Sequence, residues 1–423
     1  MHAHLLLPTI VALSILLMLI RPRGIAEVYW VGGGALLLVL LRLVPIKLAG
    51  RAVAEGLNVY LFLIGMMLLS ELARRHGVFD WLLSVAVRGS RGSCSRLFLL
   101  TYSIGTVVTI FMSNDATAVV LTPAILNAVR KAKVQPRPYL FACAFIANAA
   151  SFVLPISNPA NLVVFDHGVP PLGHWLLSFG LPSLLSIAVT YLVMRVIFRK
   201  DLSACIEVEV EPTPLSSDGK FVLAGLALMV AVLLCASAMN QDLGLPTCLV
   251  ALAITAAVSI RSGSNPLSLA KQISWPTLAL VAGLFILVDA VESIGVLRYT
   301  QAALVWAQQL APAVGAFVTA FVVGLGNNLV NNLPLGLVTG GTLAAAHAQG
   351  LIVDAALIGV DLGPNLSVTG SLATILWLLA LRKEKLDISF TDFLKVGALA
   401  MPAALFVSVG SAILMHALLP GGR

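Results

Sequence analysis

Apolar runs of about twenty residues recur along most of this chain, and they constrain its fold more than any other feature. Hydrophobic residues make up 59% of the 423 residues, and charged residues only 11%. An apolar run of about twenty residues is the length at which an α-helix crosses roughly 30 Å of hydrocarbon. The sequence therefore predicts an all-α polytopic membrane protein.

Ten of the runs predict complete membrane spans, at roughly 4–20, 25–44, 52–73, 138–165, 173–198, 220–239, 245–260, 276–295, 352–381 and 391–418. Two further apolar blocks, about 97–130 and 311–347, are each interrupted by polar residues in the middle. We expect both blocks to be re-entrant hairpins that return to the side they entered. The first run has no basic region ahead of it and no clear cleavage site, so it predicts a span and not a signal peptide.

The distribution of lysine and arginine predicts the orientation of these spans. With the N-terminus outside, the outer side receives only five of the 26 basic residues, namely Arg42, Lys47, Arg51, Arg298 and Arg423. Cytoplasmic loops carry the excess of basic residues in membrane proteins. Both termini are therefore predicted on the outer side. The net charge of +7 reflects this topology, and no nucleic-acid partner is expected.

A polar segment divides the chain into two similar halves. Residues 199–219 are rich in proline, serine and acidic residues and predict a cytoplasmic linker between repeats at 1–198 and 220–423. Each half contains three spans, a hairpin, an interrupted span and a final span. Because five crossings is an odd number, the second repeat is predicted to be inverted. Inverted repeats with interrupted helices are typical of secondary transporters, which place their site where the repeats meet near the midplane.

Four polar interruptions fall where hydropathy predicts the middle of the membrane. They are FMSNDATAVVLTP (111–123), NAASFVLPISNPANLVVF (148–165), GNNLVNNLPLG (326–336) and GVDLGPNLSVTGS (359–371). Irregular backbone at that depth survives only where it is buried in protein or lines a watery cavity. Asparagine suits such breaks because it caps helices and pairs with free backbone groups.

Specific residues in the breaks predict helix starts. Asn158 precedes Pro159 and has the pattern of an N-cap, since proline at the first helical position loses no hydrogen bond. Ser113, Asn114 or Asp115 can cap the outgoing arm of the first hairpin, and Asn332 before Pro334 predicts a similar start in the second. Asn365 follows Pro364, which disfavours helix at Gly363.

The same segments carry a family resemblance. MSNDATAVVLTP, SNPANLVVF, NNLVNNLPLG and GVDLGPNLSVTGSLATILWLLALR resemble the arsenite efflux permeases of bacterial arsenical resistance, over nearly the whole chain. More remotely, SND resembles the Ser-Asn-Thr hairpin tip of sodium-dicarboxylate symporters in the same ion transporter superfamily. Asp115 replaces the threonine, which favours a proton over sodium as the coupling ion. In the second tip, Asn328 or Asn331 is expected to match Asn114.

The resemblance implies arsenite and antimonite as substrates and the bacterial inner membrane as the location. Arsenous acid is mostly neutral near pH 7, and its hydroxyl groups match amides, which both donate and accept hydrogen bonds. Thiolate ligands are not expected, because a transporter must release its cargo. The candidate substrate-binding residues are Ser113, Asn114, Asn158, Asn161, Asn327, Asn328, Asn331, Asn332, Asn365 and Thr369.

Two acids in the breaks, Asp115 and Asp361, are the candidates for proton coupling. An ionisable residue inside the membrane is a functional candidate by default. We expect no cofactor, with the proton-motive force as the energy source. Inward proton movement gains about 2.3 kcal/mol per 100 mV.

Three alternatives remain open. A sodium/proton antiporter needs only acids and oxygen ligands, whereas a sodium-coupled anion symporter needs a basic anchor that the breaks lack. A membrane subunit of an ATP-driven pump would need a separate arsenite-stimulated ATPase, because no G-x-x-x-x-G-K-[ST] loop occurs here. An intramembrane enzyme is disfavoured, since neither HExxH nor GxSxG occurs.

The predicted topology has a direct test in a chain whose five cysteines have been replaced. Single cysteines at Arg51 and Arg298 are expected to react with a membrane-impermeant maleimide in intact cells. Cysteines at Lys133 and Lys271 are expected to react only after permeabilisation. The reverse labelling pattern would show the opposite orientation.

Overall fold

The computed structural model describes residues 2–20, 22–165, 168–203, 214–263, 265, 268, 269, 271, 273–295 and 297–418. In these residues the regular structure is helical and no strand occurs, which confirms the all-α prediction. The helices of the first half are α1 His2–Ile20, α2 Glu27–Leu40, α3 Ile46–Glu55, α4 Leu57–Arg75, α5 Val78–Gly89, α6 Cys94–Met112, α7 Asn114–Ala116, α8 Thr122–Lys131, α9 Arg137–Ala149, α10 Pro159–Val164 and α11 Leu172–Ile197. Those of the second half are α12 Ser217–Ala238, α13 Gly244–Ser262, α14 Trp275–Ser293, α15 Leu297–Gln309, α16 Pro312–Val330, α17 Asn332–Ala345, α18 Leu351–Leu362, α19 Leu372–Lys383 and α20 Phe390–Leu418.

Eight of the described helices are long and apolar enough to cross a bilayer: α4, α6, α11, α12, α13, α14, α16 and α20. Two of these, α6 and α16, are the first arms of the expected hairpins. Shorter apolar helices cover Leu6–Met18 and Glu27–Leu40. The spans predicted at 138–165 and 352–381 are each divided between two short helices, α9 with α10 and α18 with α19. These divisions coincide with two of the polar breaks.

The helices of the two halves pack reciprocally. Helix α4 packs on α13, and its counterpart α14 packs on α2. Helix α10 packs on α17, while α19 packs on the π-helical turn Thr117–Leu121 that links α7 to α8. The last helices of the halves, α11 and α20, pack extensively on each other. A two-fold axis relating the halves would produce this pattern.

The inverted orientation of the repeats stays a prediction, as do the boundaries at 198 and 220. Of the expected linker 199–219, residues 204–213 lie outside the described residues. Helix α11 ends at Ile197 and α12 begins at Ser217, a few residues before the expected start of the second repeat.

Each hairpin block reverses direction at one residue with positive φ. Ser113 has φ 122° and ψ 161°, and Asn331 has φ 74° and ψ 155°. In the first hairpin, Tyr139 at the start of α9 donates a 3.1 Å hydrogen bond to the carbonyl of Cys94 at the start of α6. Because α9 begins just after α8 ends, the second arm has returned to the level of the first. In the second hairpin, Gln301 on α15 donates 2.7 Å to the carbonyl of Ala345, the last residue of α17.

The hairpins are flanked by two helices, α5 and α15, that the apolar runs do not predict. Helix α5 packs against both α6 and α8, and α15 packs against both α16 and α17. Each is held by buried apolar residues, Leu83 and Val87 on α5 and Leu304 and Ala307 on α15. A short amphipathic helix contains no long apolar run, so hydropathy alone does not detect it.

Glycine allows the second hairpin to approach α18 closely. A Cβ atom added at Gly359 would lie 2.6 Å from the carbonyl oxygen of Ala320 and 3.1 Å from the Cβ of Val323, both on α16. Small residues let transmembrane helices pack with their backbones in contact. Gly180 on α11 is the matched helical position with open space around it, since nothing lies within 4 Å.

Gly359→Ala is therefore expected to destabilise the protein by about 1–3 kcal/mol through overpacking. Gly180→Ala is expected to leave stability unchanged or raise it by about 0.5–1 kcal/mol, because alanine favours helix. Thermal unfolding of the detergent-solubilised variants measures both effects. Equal melting temperatures for the two variants would contradict the close approach.

Candidate functional site

The first hairpin tip is capped by Ser113, one of the three predicted candidates. Its hydroxyl accepts a 3.4 Å hydrogen bond from the Ala116 N–H. Asn114 is 2% exposed, and its side-chain oxygen has no hydrogen-bond partner among the described residues. Asp115 is partly buried beside it. The tip therefore presents an unpaired amide oxygen next to a carboxylate.

The second hairpin tip is capped by Asn331 and not by the expected Asn332. The Asn331 side-chain oxygen accepts from the Leu333 N–H at 3.4 Å, and its side-chain nitrogen donates to the Thr369 carbonyl at 3.3 Å. The left-handed φ of Asn331 ends α16, so Asn332 becomes the first residue of α17.

This geometry corrects the expected alignment of the two tips. Ser113 and Asn331 share the same capping role and backbone region, so Asn332 corresponds to Asn114. Neither Asn328 nor Asn331 matches Asn114. Like Asn114, Asn332 is 2% exposed and has a side-chain oxygen without a partner among the described residues. The position of Asp115 is taken by Leu333, so only the first tip carries an acid.

The break between α9 and α10 is held by two asparagines. Asn158 is the N-cap of α10, as predicted, and accepts from the Ala160 N–H at 3.0 Å. The side-chain nitrogen of the buried Asn161 faces three backbone carbonyls, those of Ser151, Leu154 and Pro155, at 2.9, 3.4 and 3.3 Å. Asn161 thus provides donors to carbonyls that the unwound segment exposes, while its side-chain oxygen has no partner among the described residues.

Asp361 joins the two halves. Its carboxyl group is fully buried at the end of α18, and its Oδ1 atom accepts hydrogen bonds from Ser151 Oγ and Asn158 Nδ2, both at 2.5 Å. Both donors belong to the break of the first half. The Oδ2 atom has no partner among the described residues. No lysine or arginine occurs in the four breaks, so this acid lacks a basic partner there.

A second set of hydrogen bonds joins the end of α9, in the first half, to the break of the second half. Asn148 at the end of α9 donates to Asn365 Oδ1 at 3.0 Å and accepts from Ser371 Oγ at 3.2 Å. Asn365 in turn donates to the Phe145 carbonyl at 3.1 Å. Ser371 is the N-cap of α19, as Asn158 is of α10. Asn148 precedes the cap Asn158 by the same number of residues as Asp361 precedes the cap Ser371, so the two occupy equivalent positions in the two halves.

The break before α19 differs from its expected form. Asn365 does not start a helix but ends a 3₁₀ turn, Gly363–Asn365, and α19 begins only after Ser371. Ser371 and Thr374 form a reciprocal capping box, with bonds of 3.1 and 3.3 Å. Thr374 stands where Glu or Gln completes the usual capping-box signature, so the sequence signal for this helix start is weak.

The buried side chains that bond across the two halves form a central cluster, which consists of Asn148, Ser151, Asn158, Asp361, Asn365 and Ser371. Three of them, Asn148, Ser151 and Ser371, are not among the residues predicted from sequence. Their roles depend on partners in the other half of the chain, more than two hundred residues away. No local pattern marks Ser151 or Asn148 as different from an ordinary buried polar residue.

The remaining candidates hold the second hairpin against the break that follows α18. Asn327 donates to the carbonyls of Gly359 and Val360 at 2.9 and 3.0 Å, and its side-chain oxygen has no partner among the described residues. Asn328 donates to the Gly363 carbonyl at 3.1 Å and accepts from Ser367 at 2.6 Å. Thr369 donates to the Asn328 carbonyl at 3.2 Å.

The predicted residues thus fall into three groups. Asn158, Asp361 and Asn365 belong to the central cluster, and Ser113, Asn114, Asp115, Asn331 and Asn332 form the hairpin tips. The remaining four bond backbone carbonyls around the breaks: Asn161, Asn327, Asn328 and Thr369. In the central cluster, side chains of both halves are directly hydrogen-bonded. An apolar cavity of about 280 Å³ lies between α15, α16 and α17, but none of the candidate asparagines lines it. Cys143 lies 3.2 Å from the Thr122 hydroxyl. In the described part of the chain, no three metal-ligating side chains come together.

Asn161→Ala is expected to lower stability by about 1–3 kcal/mol, because buried carbonyls lose their donor. Asn127 on α8 is exposed, and Asn127→Ala is expected to change stability by less than about 0.5 kcal/mol. Melting temperatures of the purified variants give the comparison. An Asn161→Ala protein that melts with the wild type would show that the break does not depend on this amide.

The chain is similar to known membrane transport proteins. The family model described as "Citrate transporter" (CitMHS) matches residues 6–360. The arsenical pump membrane protein of Yersinia enterocolitica is 27% identical over 425 residues, covering 96% of this chain and 98% of the relative. That of Escherichia coli K12 is 26% identical over 431 residues, with the same coverage.

The resemblance to the arsenite permeases is confirmed by these relatives. Among solved structures, the YdaH transporter of Alcanivorax borkumensis has the same fold, with a TM-score of 0.57 at 15% identity over 88% of this chain and 87% of that one. This chain is a multi-pass membrane transporter and not an enzyme, and it belongs to the CitMHS family of transporters.

Proposed function

We propose that the protein exports trivalent arsenite, and also antimonite, as the neutral hydroxide in exchange for protons. The observation that carries this proposal is the carboxyl group of Asp361, fully buried between the two halves with one oxygen lacking a partner among the described residues. The location we propose is the bacterial inner membrane, with both termini on the periplasmic side. Alternating access follows from two repeats of opposite orientation around one site.

The names of the relatives support an arsenical substrate, since both quoted relatives are arsenical pump membrane proteins. The chemistry of the tips agrees with it. Asn114 and Asn332 each hold a buried amide oxygen without a described partner, at corresponding positions of the two hairpins. Such oxygens accept hydrogen bonds from the hydroxyl groups of arsenous acid, and the amide nitrogens donate to them.

An anionic substrate such as citrate fits these breaks less well. A tricarboxylate needs basic side chains or several free N–H groups to balance its charge in hydrocarbon. The four breaks contain neither lysine nor arginine. Neutral arsenous acid requires no such balance, which favours it over the substrate in the family's name.

The coupling follows from the surroundings of Asp361. A carboxylate buried without a basic partner pays a large desolvation cost, which a bound proton removes. In the proposed cycle a proton binds from outside as arsenite leaves, and it is released inside before the next arsenite binds. Asp115 at the first tip is the second candidate for the same role. Because the cargo is neutral, each proton exchanged moves one net charge and gains about 2.3 kcal/mol per 100 mV. That free energy supports roughly a 45-fold concentration gradient of arsenite.

The test is arsenite uptake into inside-out vesicles with an imposed acidic lumen. The wild type is expected to accumulate arsenite only while the pH gradient lasts. Asp361→Asn is expected to reduce this accumulation at least ten-fold, because an amide cannot carry a proton in exchange. Asp80→Asn is the control, since Asp80 is exposed on α5 and is expected to transport normally.

Four outcomes would contradict parts of the proposal. If both Asp115→Asn and Asp361→Asn retain gradient-driven uptake, the coupling acids are wrong. If uptake follows a sodium gradient, or if citrate is carried and arsenite is not, the ion or the substrate is wrong. If purified protein in liposomes moves arsenite only with ATP and an added ATPase, secondary transport is wrong.

A further inference from the structure

The hydroxyl group of Ser151 faces two oxygen atoms. Its Oγ atom lies 2.5 Å from Asp361 Oδ1 and 2.7 Å from the backbone carbonyl oxygen of Asn148. A serine hydroxyl has one hydrogen and two lone pairs. It can donate to only one of these oxygens at a time, so the two contacts depend on the protonation state of Asp361.

Two hydrogen-bond arrangements satisfy this geometry. When Asp361 is ionised, both oxygens are acceptors, and the Ser151 hydrogen points to the charged carboxylate because charge-assisted bonds are the stronger ones. When Asp361 carries a proton on Oδ1, that proton is donated to Ser151 Oγ. The Ser151 hydrogen then points to the Asn148 carbonyl. Ser151 keeps its own hydrogen in both cases, and only its direction reverses.

We propose that Ser151 is a positioning residue for proton coupling, whose hydroxyl reverses direction when Asp361 gains or loses its proton. The inference rests on the proposed function, in which Asp361 carries the coupling proton. Asn158 is the second donor to Asp361 Oδ1, and its own side-chain oxygen caps α10. It keeps the carboxyl group in place while the Ser151 bond changes.

The reversal reaches both halves through Asn148. In the ionised state the Asn148 carbonyl loses the Ser151 hydroxyl and retains the 3.2 Å bond from the Ser151 N–H. The side chain of Asn148 is bonded to Asn365 and to Ser371, the N-cap of α19. A change of donor at the Asn148 carbonyl therefore acts on the residue that joins the end of α9 to the second break.

Other titratable groups lie on α18 and on two of the helices packed against it. The helices packed against α18 are α9, α10, α16, α17 and α20, together with the 3₁₀ turn Gly363–Asn365. Helices α10, α16 and α17 and the turn contain none. The titratable groups on the rest, and on α18 itself, are Arg137, Tyr139 and Cys143 on α9, Asp392, Lys395 and His416 on α20, and Asp354 on α18. Among the described residues, the hydrogen-bond donors to the Asp361 carboxyl group are Ser151 and Asn158.

The experiment compares Ser151→Ala with the matched control Ser186→Ala. Ser186 is also fully buried and donates 2.9 Å to the carbonyl of Ala149, but it makes no bond to Asp361. Arsenite uptake into inside-out vesicles is measured as a function of pH on the cytoplasmic face, with the pH difference held constant. Ser151→Cys, which is nearly isosteric and retains a weak donor, provides the graded variant.

Ser151→Ala is expected to move the pH midpoint of uptake upward by about one unit. The ionised carboxylate loses a charge-assisted donor, whereas the protonated form loses only an acceptor, so release of the proton requires a higher pH. The KM for arsenite is expected to change less than threefold. Ser151→Cys is expected to give a smaller shift in the same direction, and Ser186→Ala none.

The variants separate failure of the inference from failure of the proposed function. If Ser151→Ala and Ser151→Cys keep the wild-type midpoint while Asp361→Asn abolishes gradient-driven uptake, Ser151 has no positioning role and the proposed function stands. A midpoint shift of equal size in Ser186→Ala would also overturn the inference. If Asp361→Asn itself retains the uptake, the coupling assignment fails and the inference fails with it.

Discussion

Backbone and side-chain polar groups inside hydrocarbon must find partners within the protein, and here the polar side chains at the ends of α9 and α18 find theirs in the other half of the chain. Asp361 at the end of α18 is bonded to Ser151 and Asn158 of the first half. Asn148 at the end of α9 is bonded to Asn365 and Ser371 of the second. These crossed bonds join the two breaks to each other, while the starts of α10 and α19 are capped locally by Asn158 and Ser371.

The crossed bonds are symmetric in position but not in charge. Asp361 and Asn148 stand at equivalent points ahead of the two caps, yet only one is an acid. The hairpin tips differ in the same way, with Asp115 in the first and Leu333 in the second. A buried acid without a basic partner carries a desolvation cost, and a second acid at the equivalent point would add to that cost. The two halves therefore have equivalent positions in the fold, but the residues at those positions differ in charge.

The fold class and the positions of the breaks could be predicted from sequence because both depend on local patterns. Apolar length predicts helices, and Asn158 before Pro159 predicts a cap that the structure contains. The choice of Asn331 over Asn332 as a cap could not be predicted, because it depends on which residue adopts a positive φ and asparagine tolerates that conformation at either position. The partners of Asp361 could not be predicted either, since Ser151 and Asn158 lie in the opposite half and a single sequence carries no record of that pairing.

The crossed bonds also affect how the protein is made. Ribosomes synthesise the first half before the second, so Ser151, Asn158 and Asn148 enter the bilayer before Asp361, Asn365 and Ser371 exist. Until the later helices insert, the side-chain amides of Asn148 and Asn158 lack the acceptors that Asn365 and Asp361 later provide. Completion of the central cluster is consequently a late step in biogenesis, and the nascent first half must be sheltered by water, lipid head groups or the insertion machinery while it waits.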